Sequence, residues 1–378
     1  MKRITIVTSY PINAEPVIKN RLQPYIDVLI QHGFTVTLIS GDYETPVFSF
    51  EHEVNFLYVP KPDVQGVGFF SRAMQEFKHA NQLLKLVNYQ KADCVLLTIP
   101  SMFLLFRSGI LKHSRKVIDV RDLTWEYLSS DKLTFLCVKK ILSWFAKQKF
   151  GRFSLVAVTN TTEFSKMECY YGLNPQQLHM LPNGVSKQQF DILSNSNRSK
   201  NSKPTICYIG NVGVAQNLTL LVDVATRCPE VDFLIVGGGN DFNRVKKYVH
   251  DKNVKNVEMT GRVSWDSIPS YYEQADILFA QLGSDYKGAM PSKLYEYLAS
   301  RKFIIYGGCA QAAEVLAEFD NNIVIQPDSI DALHQAVCEA LKRLSKNYLS
   351  NLNRDKIKSM YIREDNISVF VEKLEGLL

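Results

Sequence analysis

Lys293 and Glu296 stand three residues apart in the segment PSKLYEY, a spacing that sets both on one face of a helix. Pro291 fits a first helical turn, because the N–H it lacks would be unpaired there anyway. The free N–H groups of that turn favour an anion, and Lys293 adds a full positive charge beside them. The chain then runs through a helix end near Ser300 and an apolar strand, Phe303 to Tyr306. It leaves at Gly307 and Gly308, where backbone can approach a ligand closely. A second helix brings Glu314 to the same edge. An anion seat flanked by carboxylates suits a ligand with both phosphates and hydroxyls, such as a nucleotide sugar. The competing reading is a solvated Lys293–Glu296 ion pair on a surface helix.

Two other loops have a related character. In YIGNVGVAQNLTLLVDVA, Tyr208 to Ala225, Gly210 and Gly213 lie in a loop that leads into a helix, which suits close approach to phosphate. Gly237, Gly238 and Gly239 follow a strand, although such runs also occur in turns that hold nothing.

These residues need a scaffold, and the pattern around them is that of parallel α/β sheets, with apolar strands alternating with amphipathic helices. The first half has strand-like runs at 4–10, 35–40, 54–59, 94–99, 116–120 and 155–160, with helical stretches such as Arg21 to His32 and Phe70 to Asn88. A polar run, Ser194 to Pro204, reads as a linker. A second alternation follows, with strands at 205–210, 232–239, 256–261, 277–282, 303–308 and 322–326. The expected organisation is a first domain over 1–185, a second over 186–359, and a C-terminal helix, about 360–378, crossing back to the first.

The segment around Lys293 resembles the donor-site signature of the retaining GT-B glycosyltransferases of family 4, the group 1 glycosyltransferases. It is most similar to the bacterial O-antigen and capsule fucosamine-transferase-like enzymes, in which Pro291, Ser292 and Lys293 match "PSK" and Glu296 with Tyr297 match "EY". The resemblance implies two Rossmann-like domains facing a central cleft. It implies that Glu296 holds the ribose hydroxyls of a nucleotide, whereas Gly288 stands where the broad family has a first glutamate. Asn211 replaces the arginine that the broad family sets against the diphosphate, and no lysine follows as far as Asn217, so the charge expected there shifts to Lys293. The loop at Arg262 and Val263 is similar to the one that frames the nucleobase, and HMLPNGV, His179 to Val185, is similar to the segment that ends the first domain.

For the acceptor side, the same resemblance points to Arg21 after the first strand. DVRDLTWEYL, from Asp119, resembles "DVRDLWPE" and makes Asp122 and Glu126 the carboxylates nearest the reacting sugar. Their plain alternatives are a helix cap and a surface charge. Lys293, Glu296 and Asp122 are the expected catalytic groups. No two aspartates are separated by a single residue, so the metal-binding pair of GT-A transferases is missing and no metal or other cofactor is expected. The implied activity is transfer from a nucleoside-diphosphate sugar, UDP-linked, to a lipid-linked or glycan acceptor in O-antigen or capsule assembly. A nucleotide-sugar epimerase of the same architecture and a non-catalytic GT-B partner subunit are the alternatives.

Composition agrees with a cytoplasmic enzyme. The seven cysteines are scattered and never paired as metal or redox motifs, which fits a reducing compartment. The chain enters a strand at Arg3, so no signal peptide is expected, and the most apolar charge-free run, Cys94 to Phe106, is too short to span a membrane. Residues 1–185 hold 21 Lys and Arg against 15 Asp and Glu, while the remainder balances at 23 against 23. A basic first half suits the inner membrane surface or a pyrophosphate-linked acceptor; nucleic acid is disfavoured, since no binding motif or long basic block is present. Leu133 to Phe153 interleaves apolar residues with Lys139, Lys140, Lys147, Lys149 and Arg152, and reads either as a membrane-surface helix or as a core-facing helix with solvated lysines. Phe69, Phe70 and Arg72 form a second such segment.

Overall fold

In this computed structural model the described residues are 2–13, 16–44, 54–63, 68–99, 101–127, 133–195, 202–283, 291, 293–308, 311–345 and 352–378. They divide into two compact units, Met1–Pro182 with Arg363–Leu378, and Asn183–Ile362.

The first unit runs β1 (Lys2–Val7), α1 (Pro16–Gln31), β2 (Phe34–Ser40), β3 (Asn55–Tyr58), α2 (Phe69–Val87), β4 (Cys94–Ile99), α3 (Met102–Arg107), β5 (Lys116–Val120), α4 (Leu133–Phe150), β6 (Leu155–Val158), α5 (Thr161–Cys169) and β7 (Leu178–Met180). The strands pair in parallel in the order β3-β2-β1-β4-β5-β6-β7. Helices cover both faces, and so the central strands are apolar throughout rather than alternating. Alternate residues of β4 divide between two cores. Val95, Leu97 and Ile99 face α2, α3 and α4. Cys94 and Leu96 face the α1 side.

The second unit runs α6 (Lys187–Ser194), β8 (Thr205–Ile209), α7 (Thr219–Arg227), β9 (Asp232–Val236), α8 (Phe242–Asp251), β10 (Val257–Gly261), α9 (Ile268–Gln274), β11 (Ile277–Gln281), α10 (Lys293–Ala299), β12 (Phe303–Gly307), α11 (Gln311–Leu316), β13 (Asn322–Ile325), α12 (Ile330–Ser345) and α13 (Leu352–Met360). Its parallel order is β10-β9-β8-β11-β12-β13, so the winding reverses between β8 and β11. The last helix, α14 (Arg363–Glu375), belongs to the first unit, where Phe370 packs edge-on against Tyr25 of α1.

Two expectations change in detail. The segment that closes the first domain includes a strand, β7, which at three residues is too short for an alternation to show. Pro291 lies before α10 rather than in its first turn, and its carbonyl accepts from Leu294 N–H at 3.0 Å. Of the expected linker, residues 196–201 lie outside the described residues.

Candidate donor site and acceptor-side cluster

Open parallel sheets bind ligands beyond the carboxyl ends of their strands, at the point where the winding reverses. In the second unit that point lies between β8 and β11. The two strands pair at Ile277–Ile206 and Leu278–Cys207, and among the described residues no further pairs join them beyond that. The Tyr297 hydroxyl stands between them instead. It accepts from Ile209 N–H at 2.8 Å and lies 3.1 Å from Ile209 O and 3.2 Å from Phe279 O. Tyr297 is fully buried, and its apolar body packs in the core beneath. It therefore fixes α10, with Lys293 and Glu296, to the strand end from which Gly210 emerges.

Three strand ends meet on the β8 side. Gly210 N–H donates to Val236 O (2.9 Å), Val212 N–H to Gly238 O (3.0 Å) and Gly237 N–H to Gly261 O (3.0 Å). Gly237 has φ +136°, and a Cβ there would collide with the Gly210 carbonyl, so both steric and backbone terms require glycine. A Cβ on Gly238 would press on Arg262. Gly210, Gly213, Gly237, Gly238 and Arg262 are thus brought to one edge, with Asn211 and Arg262 exposed there and Val263 half-buried.

Lys293 and Glu296 form an ion pair, Nζ to Oε2 at 2.8 Å. Glu296 is buried, Lys293 about a third exposed, and the Tyr272 hydroxyl donates to the same Oε2 at 3.3 Å. Lys293 Nζ also lies 5.4 Å from the centre of the Trp265 ring. The pair is therefore half desolvated, not the freely solvated surface pair of the plain alternative. An ammonium carries three N–H donors, so the bond to Glu296 leaves capacity for an anion. Glu314 is exposed on α11, and no hydrogen bond links it to this pair among the described residues. Ser292 and Gly288 lie outside the described residues.

Sequence reasoning missed Gln281 and Asp328. Gln281, buried at the end of β11, donates to Gln216 O and Asp328 Oδ1 and accepts from Asp328 N–H, and Asn217 also donates to Asp328. These bonds tie the loop after β8 to the turn after β13, which holds Asp328 at φ +61°.

In the first unit the carboxyl end of β5 carries a cluster of charge. Arg21 is buried and forks onto Asp119, Nε to Oδ2 at 3.0 Å and Nη2 to Oδ1 at 2.7 Å, with Nη2 also 3.3 Å from Leu181 O. Burial alone would lower its pKa, but Asp119 raises it. Arg21 joins α1, β5 and the end of the β7 segment, a bracing geometry rather than one presented to an acceptor. Glu126, in the turn Thr124–Tyr127, is held by Lys166 at 2.8 Å and Lys139 at 3.1 Å. Its burial favours the neutral acid, but the two lysines outweigh that and its pKa falls. It too is anchored inside the unit.

Asp122 is half-buried just beyond β5, and its charge bears on two neighbours that the sequence did not single out. Arg121 has a buried Nε with no hydrogen-bond partner among the described residues. Burial and Arg21 lower its pKa, and Asp119 and Asp122 oppose them. Glu163, in the first turn of α5, accepts from Thr159 N–H at 3.2 Å and Thr159 Oγ1 at 2.9 Å. Burial pushes its carboxyl up to about 7 against those two bonds, with Asp122 and Asp119 adding to the rise. No local pattern announces this, since the field on Glu163 comes from β5, some forty residues earlier in the chain.

Residues 189–356 match the family described as glycosyl transferases group 1. The fold is GT-B, and the matched residues lie within its second unit. The chain is 24% identical over 203 residues to the putative colanic acid biosynthesis glycosyl transferase WcaI of Escherichia coli K12, a match covering 51% of this chain and 48% of that protein. It thus spans about half the length of this curated relative. Sucrose-phosphate synthase from Thermosynechococcus elongatus superposes with a TM-score of 0.77 at 15% identity, covering 100% of this chain and 99% of that one. Anabaena HepE in complex with UDP-glucose superposes with a TM-score of 0.68 at 15% identity, and both chains are fully covered.

Proposed function

We propose that this protein transfers a sugar from a UDP-sugar to a lipid-linked oligosaccharide or polysaccharide acceptor, with retention and without a metal ion, in the assembly of a cell-surface polysaccharide. The observation that carries the reading is the switch point of the second unit, where Tyr297 fastens the Lys293–Glu296 helix against the Gly210 loop. Lys293 and the amides of that loop would meet the charge that grows on the departing diphosphate, which is where preorganised donors have most effect. Glu296 would accept ribose hydroxyls through Oε1, since both hydrogen bonds made to its carboxylate by the described residues land on Oε2. On the acceptor side the groups are Asp122, with Arg121 and Glu163 in its field, and Arg21 and Glu126, the last two held in place by Asp119 and by Lys139 and Lys166. The relatives support the direction: WcaI is a putative colanic acid glycosyl transferase, and HepE was captured with UDP-glucose.

The test is UDP release by purified protein from a panel of UDP-sugars, with and without a glycan or lipid-linked acceptor and with excess EDTA. Acceptor-dependent release that survives EDTA, giving a product with the donor's anomeric configuration, is the expected result. Loss of transfer to EDTA with recovery on magnesium would overturn the metal-free step. Interconversion of the donor sugar without an acceptor would assign the epimerase reading, and tight UDP binding with no turnover the partner-subunit reading.

A further inference from the structure

The apolar residues of α4 do not all reach the core. Ala146 and Phe150 are buried there, and Leu142 packs partly against them. Phe135, Val138, Ile141, Trp144 and Phe145 lie on the outer face, with Ile141 55% and Trp144 58% exposed. Neither reading of Leu133 to Phe153 from the sequence holds alone, because the helix has one apolar face toward the sheet and another toward solvent. α2 repeats the arrangement. Ala80, Leu83, Leu84 and Val87 enter the same core, while Phe70, 87% exposed, Met74 and Phe77 stand outward one turn apart.

α3 packs against both α2 and α4, so the two outward stripes belong to neighbouring helices of one layer. Basic groups lie between the stripes. The Arg107 guanidinium, at the end of α3, sits 5.1 Å over the Phe77 ring, and its Nε is buried without a partner among the described residues. Lys149 Nζ and Arg152 Nη1 both crowd the position a side chain on Gly109 would take. Burial lowers the Lys149 pKa, and the charges of Arg152 and Arg107 lower it further, which marks three cations within each other's field. Facing them from α2 are Asn81, which accepts from Arg107 at 2.7 Å, and Glu76, which is paired with Arg72. Between Leu133 and Arg152 the chain has no carboxylate.

We propose that the α2–α3–α4 layer docks on an anionic lipid bilayer, the Phe70–Met74–Phe77 and Ile141–Trp144–Phe145 stripes entering the headgroup boundary while Arg107, Lys149 and Arg152 seat a lipid phosphate. The occupant follows from charge and shape together. A cluster of three cations seeks an anion, and the aliphatic side chains beside it seek to leave water; an anionic membrane surface offers both within one contact. A nucleic-acid backbone would satisfy the cations but leave Ile141 and Val138 in solvent. No helix of the described residues is long and apolar enough to cross a membrane, so the contact is at the surface. The inference does not depend on the transfer reading, because docking needs no donor.

Sedimentation with large vesicles tests it, comparing phosphatidylcholine alone with phosphatidylcholine containing phosphatidylglycerol. The protein should pellet with the second and far less with the first, and salt should weaken the binding. Ile141→Ser with Trp144→Ser should lower vesicle affinity by about tenfold or more. Lys149→Glu with Arg152→Glu should abolish the preference for phosphatidylglycerol while UDP binding and melting temperature stay at the parent values. A protein that remains in the supernatant with both vesicles at low salt, or whose binding is unchanged by both pairs of substitutions, overturns the proposal. So does an RNA or DNA duplex that binds this face as tightly as the vesicles do.

Discussion

Tyr297→Phe is a small change with a calculable effect. Its hydroxyl bridges the ends of β8 and β11, and it accepts the Ile209 N–H at 2.8 Å inside a fully buried site. Phenylalanine preserves the ring packing in the core and removes that acceptor. The Ile209 N–H is left buried and unpaired, and a lost partner of this kind costs about 1–3 kcal/mol, since the donor forfeits its bond and cannot recover it from water. For a domain of this size each kcal/mol lowers the melting temperature by roughly 2–4 °C, so the second unit should melt about 2–12 °C earlier. The loop starting at Gly210 and the helix carrying Lys293 would also lose their shared anchor, and UDP affinity should fall by about three- to tenfold. Differential scanning calorimetry with and without UDP reads both effects. A melting temperature within about 1 °C of the parent, with unchanged UDP binding, would show that the strand ends hold together without the hydroxyl and would refute the reasoning.

Lys293→Ala should weaken UDP binding and reduce transfer by a larger factor, about a hundredfold, because charge grows on the leaving group as the sugar departs; isothermal titration beside steady-state kinetics checks it, and both values within about twofold of the parent would make Lys293 a counter-ion of Glu296 alone. Glu296→Gln should lose at least about tenfold in kcat/KM without unfolding, as a carboxylate accepting ribose hydroxyls becomes a weaker partner; unchanged kinetics would remove Glu296 from the site. Glu163 has its folded pKa, about 7, above the unfolded value of 4.5, so its contribution to stability is complete below the unfolded value and is lost as pH rises through 7. Chemical denaturation from pH 4.5 to 8 should show that decline in the parent and a flatter profile in Glu163→Gln; identical slopes would place Glu163 in an ordinary solvated environment.

The alternation of strands and helices in both halves was legible because the strands are buried on two faces and read as apolar runs, as in Cys94–Ile99 and Ile277–Gln281. The Lys293–Glu296 contact was legible because a helical spacing of three dictates it. The Arg21–Asp119 pair was not, since the two lie 98 residues apart and only the parallel register of the sheet brings them together. Asp119 belongs to the α1 side for the same reason that Val117 does, two residues earlier on β5. Gln281 and Asp328 escaped notice because a single buried amide in an apolar strand has no pattern of its own, and its role appears only when the turn after β13 folds over it.

Arg21 and Lys293 show why an ion pair alone does not decide whether a residue serves the fold or a ligand. Both are basic, each stands on a helix that a resemblance assigned to a ligand, and both meet a buried carboxylate. Arg21 is itself buried and gives two guanidinium nitrogens to Asp119 and a further contact to Leu181 O, so an anion reaching it would have to displace a fork already in place. Removing either partner would strand a charge in the interior, at about 3–5 kcal/mol, which is the signature of a structural pair. Lys293 shows one bond to Glu296 and remains about a third exposed at the carboxyl edge of the sheet. Its pairing holds the ammonium in position while leaving N–H groups to face outward. The distinction rests on how many donors are already committed, and by that measure Arg121, beside Asp122, differs from Arg21, because its Nε has no hydrogen-bond partner among the described residues.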